Sequence, residues 1–180
     1  MSVNSRRLLL SVVAISTFSF SSNICHEISP AIAINISQNS NDKSTAIKLG
    51  GEGATLFASG KYQEAISKFE QALVIFRSIG DRERESVILN NLGGAYNYLR
   101  QYKKGIEYLR LSLVISKEIG DRAGEGSVLN ALGTVYGELK QYKESIEYYQ
   151  QSLVIRKKIG DRIKEGATLA NLGSTYNKLG

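Results

Sequence analysis

The sequence predicts an all-α solenoid of antiparallel helix hairpins, and three observations carry that prediction. The tetrapeptide IGDR stands at 79–82, 119–122 and 159–162, forty residues apart. Other positions keep the same phase: Leu73-Val74-Ile75 returns as Leu113-Val114-Ile115 and Leu153-Val154-Ile155. Leu92-Gly93 returns as Leu132-Gly133 and Leu172-Gly173, each followed three residues on by Tyr96, Tyr136 or Tyr176. Within each period the apolar residues fall into two runs at helical spacing. A fixed period of this length marks a repeat architecture, in which each unit buries its apolar face only against its neighbours.

The first 33 residues stand apart from the repeats. Arg6 and Arg7 precede an apolar-rich run over 8–20, and a polar stretch then leads to Ala31-Ile32-Ala33. A basic region, a short apolar region and an A-x-A site are the parts of a secretory signal peptide, with cleavage expected after Ala33. The run is shorter than the ~20 apolar residues of a spanning helix. The mature chain is therefore expected to be secreted or periplasmic, without stable membrane insertion; an uncleaved N-terminal anchor is the alternative. Residues 34–44 are rich in Asn and Ser and read as a disordered polar linker.

The array follows over 45–180, divided as 45–80, 81–120, 121–160 and a half repeat at 161–180. Its first hairpin is expected at 45–59 with 62–79, and Gly50 and Gly51 predict a frayed first helix there. In the second copy Val87, Leu89, Leu92, Ala95, Tyr96 and Leu99 make one amphipathic run, and Ile106, Leu109, Leu113 and Ile115 make the other. The turn at 99–102 separates them, giving helices at 82–99 and 102–119. The third copy repeats this at 122–139 and 142–159, and a lone helix at 162–179 follows.

IGDR is the joint between hairpins. Gly80, Gly120 and Gly160 fall where a helix ends and positive φ is favoured. Asp81, Asp121 and Asp161 follow as N-caps. Glu85, Glu125 and Glu165 put negative charge in the next first turn, within reach of Arg82, Arg122 and Arg162. Ile79, Ile119 and Ile159 are expected as core contacts. Small residues recur where two helices must cross closely: Gly93 with Gly105, Gly133 with Ser145, and Gly53 with Ala65, beside Phe69, Leu109 and Tyr149.

Composition limits the chemistry. Cys25 and His26 are the only cysteine and histidine, and both precede the expected cleavage site. The mature chain then has no thiol and no imidazole, which removes the usual zinc ligands, a cysteine nucleophile and histidine acid–base catalysis. No enzyme activity, metal or cofactor is expected. The full chain carries +6; removing Arg6, Arg7 and Glu27 from its 23 basic and 17 acidic residues leaves 21 and 16. That excess is scattered and reads as a solvated surface.

These residues resemble the tetratricopeptide repeat, whose 34-residue unit reads W-x2-L-G-x2-Y, then A-x3-F, then A; here leucine takes the first large position. The forty-residue form with a GDR joint is similar to repeats of kinesin light chains, G-protein-signalling modulators and many bacterial and cyanobacterial proteins. The resemblance implies a right-handed α-solenoid of about three and a half units whose first helices line a concave surface for a peptide or partner helix. Carried over by position, the groove residues are Asn90, Gly94, Asn97 and Tyr98, then Asn130, Thr134, Gly137 and Glu138, then Ser174, Asn177 and Lys178. Repeats that clamp an acidic C-terminal peptide use cations at groove places that here hold Gly50, Ala54, Asn91, Ser127 and Ala131, so that partner is not expected. Nucleic acid is not expected either, because Tyr98 is the one aromatic assigned to the groove; a nucleic-acid-binding helical repeat is kept as a minor alternative. Leu169, Leu172, Tyr176 and Leu179 leave an apolar stripe on the last helix, expected to serve self-association. The alternative is an array that fronts a longer protein, with an effector such as a caspase-like peptidase domain downstream.

Overall fold

The computed structural model describes the backbone of residues 30–179 and the side chains of 38–179. Arg6, Arg7 and the apolar run of the expected signal peptide lie outside the described residues. Among the described residues seven helices follow in order: α1 (Pro30–Ala58), α2 (Tyr62–Ser78), α3 (Arg82–Tyr98), α4 (Tyr102–Glu118), α5 (Arg122–Glu138), α6 (Tyr142–Ile159) and α7 (Arg162–Leu179). The hairpins are α1–α2, α3–α4 and α5–α6, and apart from the start of α1 their helix ends lie within one or two residues of the sequence expectation; α7 begins a fourth. Helix α3 packs on both α2 and α4, α5 on α4 and α6, and α7 on α6. The contacts of α3 with α5 and of α5 with α7 place the first helices of successive hairpins side by side in one layer. The second helices α2, α4 and α6 form the other.

One turn design closes both ends of every hairpin. At the joints the Asp81, Asp121 and Asp161 amides donate to Phe76, Ser116 and Arg156 carbonyls at 2.9, 2.9 and 3.0 Å. With the preceding glycine amide bonded three residues back, these are Schellman turns. Gly80, Gly120 and Gly160 hold φ of 71°, 71° and 74°, as the joint requires. Gly60 holds the same place inside the first hairpin at 75°, but in the next two it is filled by Arg100 at 57° and Lys140 at 60°. A side chain in this region costs on the order of 1 kcal/mol, tolerated here because both flanking helices fix the turn.

The N-caps form as expected. Asp81, Asp121 and Asp161 accept from the amides of Arg84 (3.2 Å), Gly124 (2.8 Å) and Lys164 (3.1 Å). Burial alone would raise the Asp81 carboxyl, but the Lys43 ammonium and Arg84 outweigh it and hold the pKa below the ordinary value. The first-turn glutamates do more than complement the helix dipole. Glu85, Glu125 and Glu165 are buried, and each is paired with the arginine three residues earlier. Glu85 also takes Arg77 Nε at 2.8 Å, tying the end of α2 to the start of α3.

Three expectations are corrected. Residues 34–44 are helical within α1. Pro30 opens the helix, where its fixed φ and missing amide suit the first turn, and packing holds the rest: Ala46 is wholly buried and Lys43 reaches Asp81 at 2.9 Å. The helix is likewise unbroken through Gly50 and Gly51, because Gly53 seats Phe69 and tertiary contact outweighs propensity. The joint isoleucines also differ from one another. Ile79 packs on the core, whereas Ile119 and Ile159 are about two-fifths exposed.

The small-residue crossings are as expected and tight. A Cβ on Gly93 would lie 2.5 Å from Leu109 Cγ and 3.1 Å from the Gly105 carbonyl oxygen. On Gly133 or Gly53 it would lie 2.7 Å from the ring of Tyr149 or Phe69. Ser145 fits because its hydroxyl donates to the Gly133 carbonyl at 2.7 Å. At Gly173 a Cβ would meet nothing within 4 Å among the described residues. Gly93→Val is therefore expected to lower stability by about 2–3 kcal/mol through overpacking, whereas Gly173→Ala should raise it by up to ~1 kcal/mol through helix propensity. Urea unfolding of both variants checks this, and equal effects would show that the crossing is looser than described.

Candidate functional site

The first-helix layer carries the residues expected to meet a partner. Apolar positions of α3 turn towards α2 and α4, so Leu89, Leu92, Ala95 and Tyr96 are buried. This leaves Asn90, Asn91, Gly94 and Asn97 half-buried along the free side of the helix. Two recesses open there. One of about 220 Å³ is lined by Ala54 and Phe57 from α1, Phe69 from α2, Asn90 and Gly94 from α3, and Ala131 from α5. The other, about 280 Å³, is more polar and includes Asn90, Val87, Ser127 and Lys164. Asn90 thus borders both, and Val87, expected in the apolar run of α3, faces the groove instead.

The expected groove residues divide by environment. Asn90 and Gly94 meet at the smaller recess, together with Asn91 and Ala131. The Asn90 and Asn97 side-chain oxygens are buried without a hydrogen-bond partner. Asn130, one period on from Asn90, is satisfied: its oxygen accepts from Asn171 Nδ2 at 3.4 Å, joining α5 to α7. The place equivalent to Asn171 beside Asn90 is Ala131, which has nothing to donate. Thr134 is bound inward, donating to the Asn130 carbonyl at 3.1 Å and sharing a bond with the Tyr149 hydroxyl at 3.0 Å.

Tyr98 lies away from the recess, at the turn end of the first hairpin. It stacks on Tyr62 at 4.7 Å between ring centroids and meets Phe57 edge-on at 5.3 Å. Gly137 is half-buried, and a Cβ on it would meet Ser145 Oγ at 3.3 Å. Glu138, Ser174, Asn177 and Lys178 are exposed on α5 and α7. The sequence reading missed Phe57 as a groove aromatic. The signal was available: Phe57 is in phase with Asn97, Gly137 and Asn177, so an aromatic replaces polar or glycine residues at that place.

The repeat tyrosines face the other way. Tyr96 and Tyr136 stack on Tyr108 and Tyr148 of the following second helix, at 5.3 and 5.2 Å. Burial, and after it Glu70, pushes the Tyr96 phenol up to about 12, so at neutral pH it donates to Glu70 at 3.3 Å. Tyr176 instead receives a bond from Gln150 at 3.2 Å and is 47% exposed. Leu169 is also 47% exposed where its counterparts Leu89 and Leu129 are 0% and 1%. Leu179 is exposed and Leu172 half-buried, so the outer face of α7 is open among the described residues. Among those residues no cluster of three or more His, Cys, Asp or Glu is placed to hold a metal ion, and no helix is long and apolar enough to cross a membrane.

Hairpins joined in phase by identical turns, with an open first-helix face, define a helical-repeat protein. The chain belongs to the tetratricopeptide repeat family, which it matches over residues 44–118, 84–158 and 124–180. It is similar in structure to BtubC (BKLC) from P. vanneervenii, with a TM-score of 0.68 and 22% identity over 74% of this chain and 56% of that one. It is also similar to the kinesin light chain TPR-like repeats of Podospora anserina (TM-score 0.65, 18% identity, 76% of this chain and 67% of that one). A third likeness is to the TPR2AB domain of yeast Sti1 in its complex with pHSP90 (TM-score 0.63, 23% identity, 76% and 48%). The chain therefore spans little more than half the length of BtubC. A comparison with curated protein sequences gives no match.

If Ala131 is what leaves Asn90 unpaired, Ala131→Asn should supply the missing bond in the way Asn171 serves Asn130. The expected gain is about 0.5–1 kcal/mol in urea unfolding. An unchanged or lowered midpoint would mean that the α3–α5 spacing does not allow the bond.

Proposed function

We propose that the chain is an exported, non-enzymatic interaction scaffold whose first-helix face, built by α1, α3, α5 and α7, binds an extended peptide or a partner helix. The observation that carries this reading is the unmet acceptor of Asn90 on a face where Asn130 is paired. A buried unpaired acceptor costs about 1–3 kcal/mol, and a ligand N–H would remove that cost. Asparagine suits the role because its amide both donates to and accepts from a peptide backbone. That the yeast Sti1 domain is found in complex with pHSP90 supports a partner-binding role for such an array. Its kind of partner is not carried over, since the clamp places hold Gly50, Ala54, Asn91, Ser127 and Ala131. Export rests on the basic residues, apolar run and A-x-A site of residues 1–33.

Dodecapeptides selected on the chain from a random library should compete for one site and lose about tenfold or more in affinity on Asn90→Ala with Asn130→Ala. Peptides that bind both forms equally would move the site off this face.

The open face of α7 supports a second reading, in which a second copy of the chain covers it. The exposure of Leu169 and Tyr176, against the burial of Leu89 and Leu129, is the observation behind it. Sedimentation equilibrium should then show dimer, and Leu169→Glu with Tyr176→Glu should restore the monomer mass. A wild-type chain that stays monomeric at about 100 µM, where associations near −5.5 kcal/mol are detected, would end this reading. A following helix of a longer chain, with an effector beyond it, would then be the occupant to seek.

A further inference from the structure

The smaller recess carries more information than its position. Its volume, about 220 Å³, falls below the ~300–1,000 Å³ typical of sites for drug-sized ligands and cofactors. It is the size for one side chain. The lining described above contains no charged group, and two aromatic rings, Phe57 and Phe69, supply its walls.

Two departures from the repeat create this space. The first is Gly94, in phase with Ala54, Thr134 and Ser174. In the third copy the same place carries Thr134, whose hydroxyl bonds within its own hairpin to Tyr149. Gly94 leaves it open, yet nothing in the fold demands glycine there. It is not among the positive-φ residues, and a Cβ on it would meet only Phe57, at 3.8 Å, an ordinary contact. Its neighbour Gly93 is required by the α3–α4 crossing; Gly94 is not. A glycine inside a helix costs ~1 kcal/mol against alanine, and the chain's own packing returns nothing for it.

The second departure is Ala131, in phase with Asn91 and Asn171. It lines the same recess and, unlike Asn171 beside Asn130, has no donor to offer Asn90. The two small residues thus open an apolar hole and free an amide at its edge. No hydrogen bond holds the Asn90 oxygen, so its amide can turn about a soft torsion to meet a ligand.

We infer that the recess between α1, α3 and α5 is the specificity pocket of the groove, taking one apolar side chain of leucine, methionine or phenylalanine size from an uncharged stretch of an extended peptide whose adjoining backbone N–H donates to Asn90. This inference rests on the groove reading above and adds the chemistry of the partner. A charged side chain would lose its hydration with no opposite charge in the lining to replace it. A leucine or methionine gains burial against Phe57 and Phe69, and a thioether gains a favourable contact with their ring edges.

The test uses the full chain and peptides selected on it from a random dodecapeptide library. Aligned, they should share one Leu, Met or Phe at a fixed place with uncharged neighbours. Replacing that residue by alanine should weaken binding about tenfold or more. Gly94→Thr, which copies the third repeat, should weaken the parent peptide to the same degree and leave the alanine peptide unchanged. Ala54→Leu fills the pocket from the exposed side of α1 and gives the same reading should the α3 variant unfold, as thermal melts would reveal. Peptides that depend on Asn90 and Asn130 but have no shared apolar residue, or are indifferent to both filling variants, would overturn the pocket and leave the groove standing. Peptides indifferent to the asparagines as well, or a library that yields no binder, would overturn both.

Discussion

The α3–α4 crossing is backbone against backbone. Where α3 crosses α4, Gly93 and Gly105 face each other so nearly that a Cβ on Gly105 would stand 3.0 Å from the Gly93 carbonyl oxygen. Close crossing lets Leu109 fill the adjoining space and brings the two helices of a hairpin together along their length. It also settles which side of each first helix remains free. Gly93 and Gly94 are sequence neighbours, but a helix turns about 100° between them. One therefore lies in the crossing and the other on the groove. The same two letters serve opposite ends, contact in one case and vacancy in the other.

Behind the crossings, the hairpins are sealed by polar seams as well as apolar ones. Ser86, Ser112 and Ser116 share hydroxyl bonds of 2.8–3.0 Å in the α3–α4 interface. In the next hairpin Ser152 and Arg156 both donate to the Gly126 carbonyl, at 2.7 and 3.3 Å. Arg156 sits where Ser116 sits one copy earlier, and Gly126 replaces Ser86 to admit it. Arginine is much the larger side chain, and its Nε and Nη2 find acceptors in Ser152 and the Gly126 carbonyl, which is the condition for a polar group inside a core. The repeats are thus alike in geometry while differing in chemistry.

Much of this was legible in the sequence because three copies constrain one another. Helix ends, caps, positive-φ glycines and crossing residues all fall where the period put them. What escaped was set by partners rather than by the residue itself. The 34–44 segment looks like a linker by composition, but burial of Ala46 and the Lys43–Asp81 pair belong to contacts no local window contains. Ile119 and Ile159 match Ile79 letter for letter, yet only Ile79 lies on the large core beside α1. Asn90 and Asn130 are likewise indistinguishable by position. Their difference comes from Ala131 and Asn171, forty-one residues further along. For the candidate site, repetition located the face, and the breaks in repetition at Phe57, Gly94 and Ala131 located the recess on it.

The joints have a consequence for how such a chain can be rearranged. Ile-Gly-Asp-Arg is identical at all three, with the same turn, the same cap and the same arginine–glutamate pair beyond it. The crossings are not interchangeable: Leu109 with Gly105, Tyr149 with Ser145 and Phe69 with Ala65 are matched sets, each fitted to its own glycine. A genetic exchange that breaks at the joint hands over a whole hairpin and leaves every matched set intact. One that breaks at the inner turn pairs a first helix with a stranger. The joint is therefore the break that disturbs least: only the packing between neighbouring hairpins, as of Leu73 and Phe76 with Ile88 and Leu92, must be met again, and the groove can acquire new side chains one hairpin at a time.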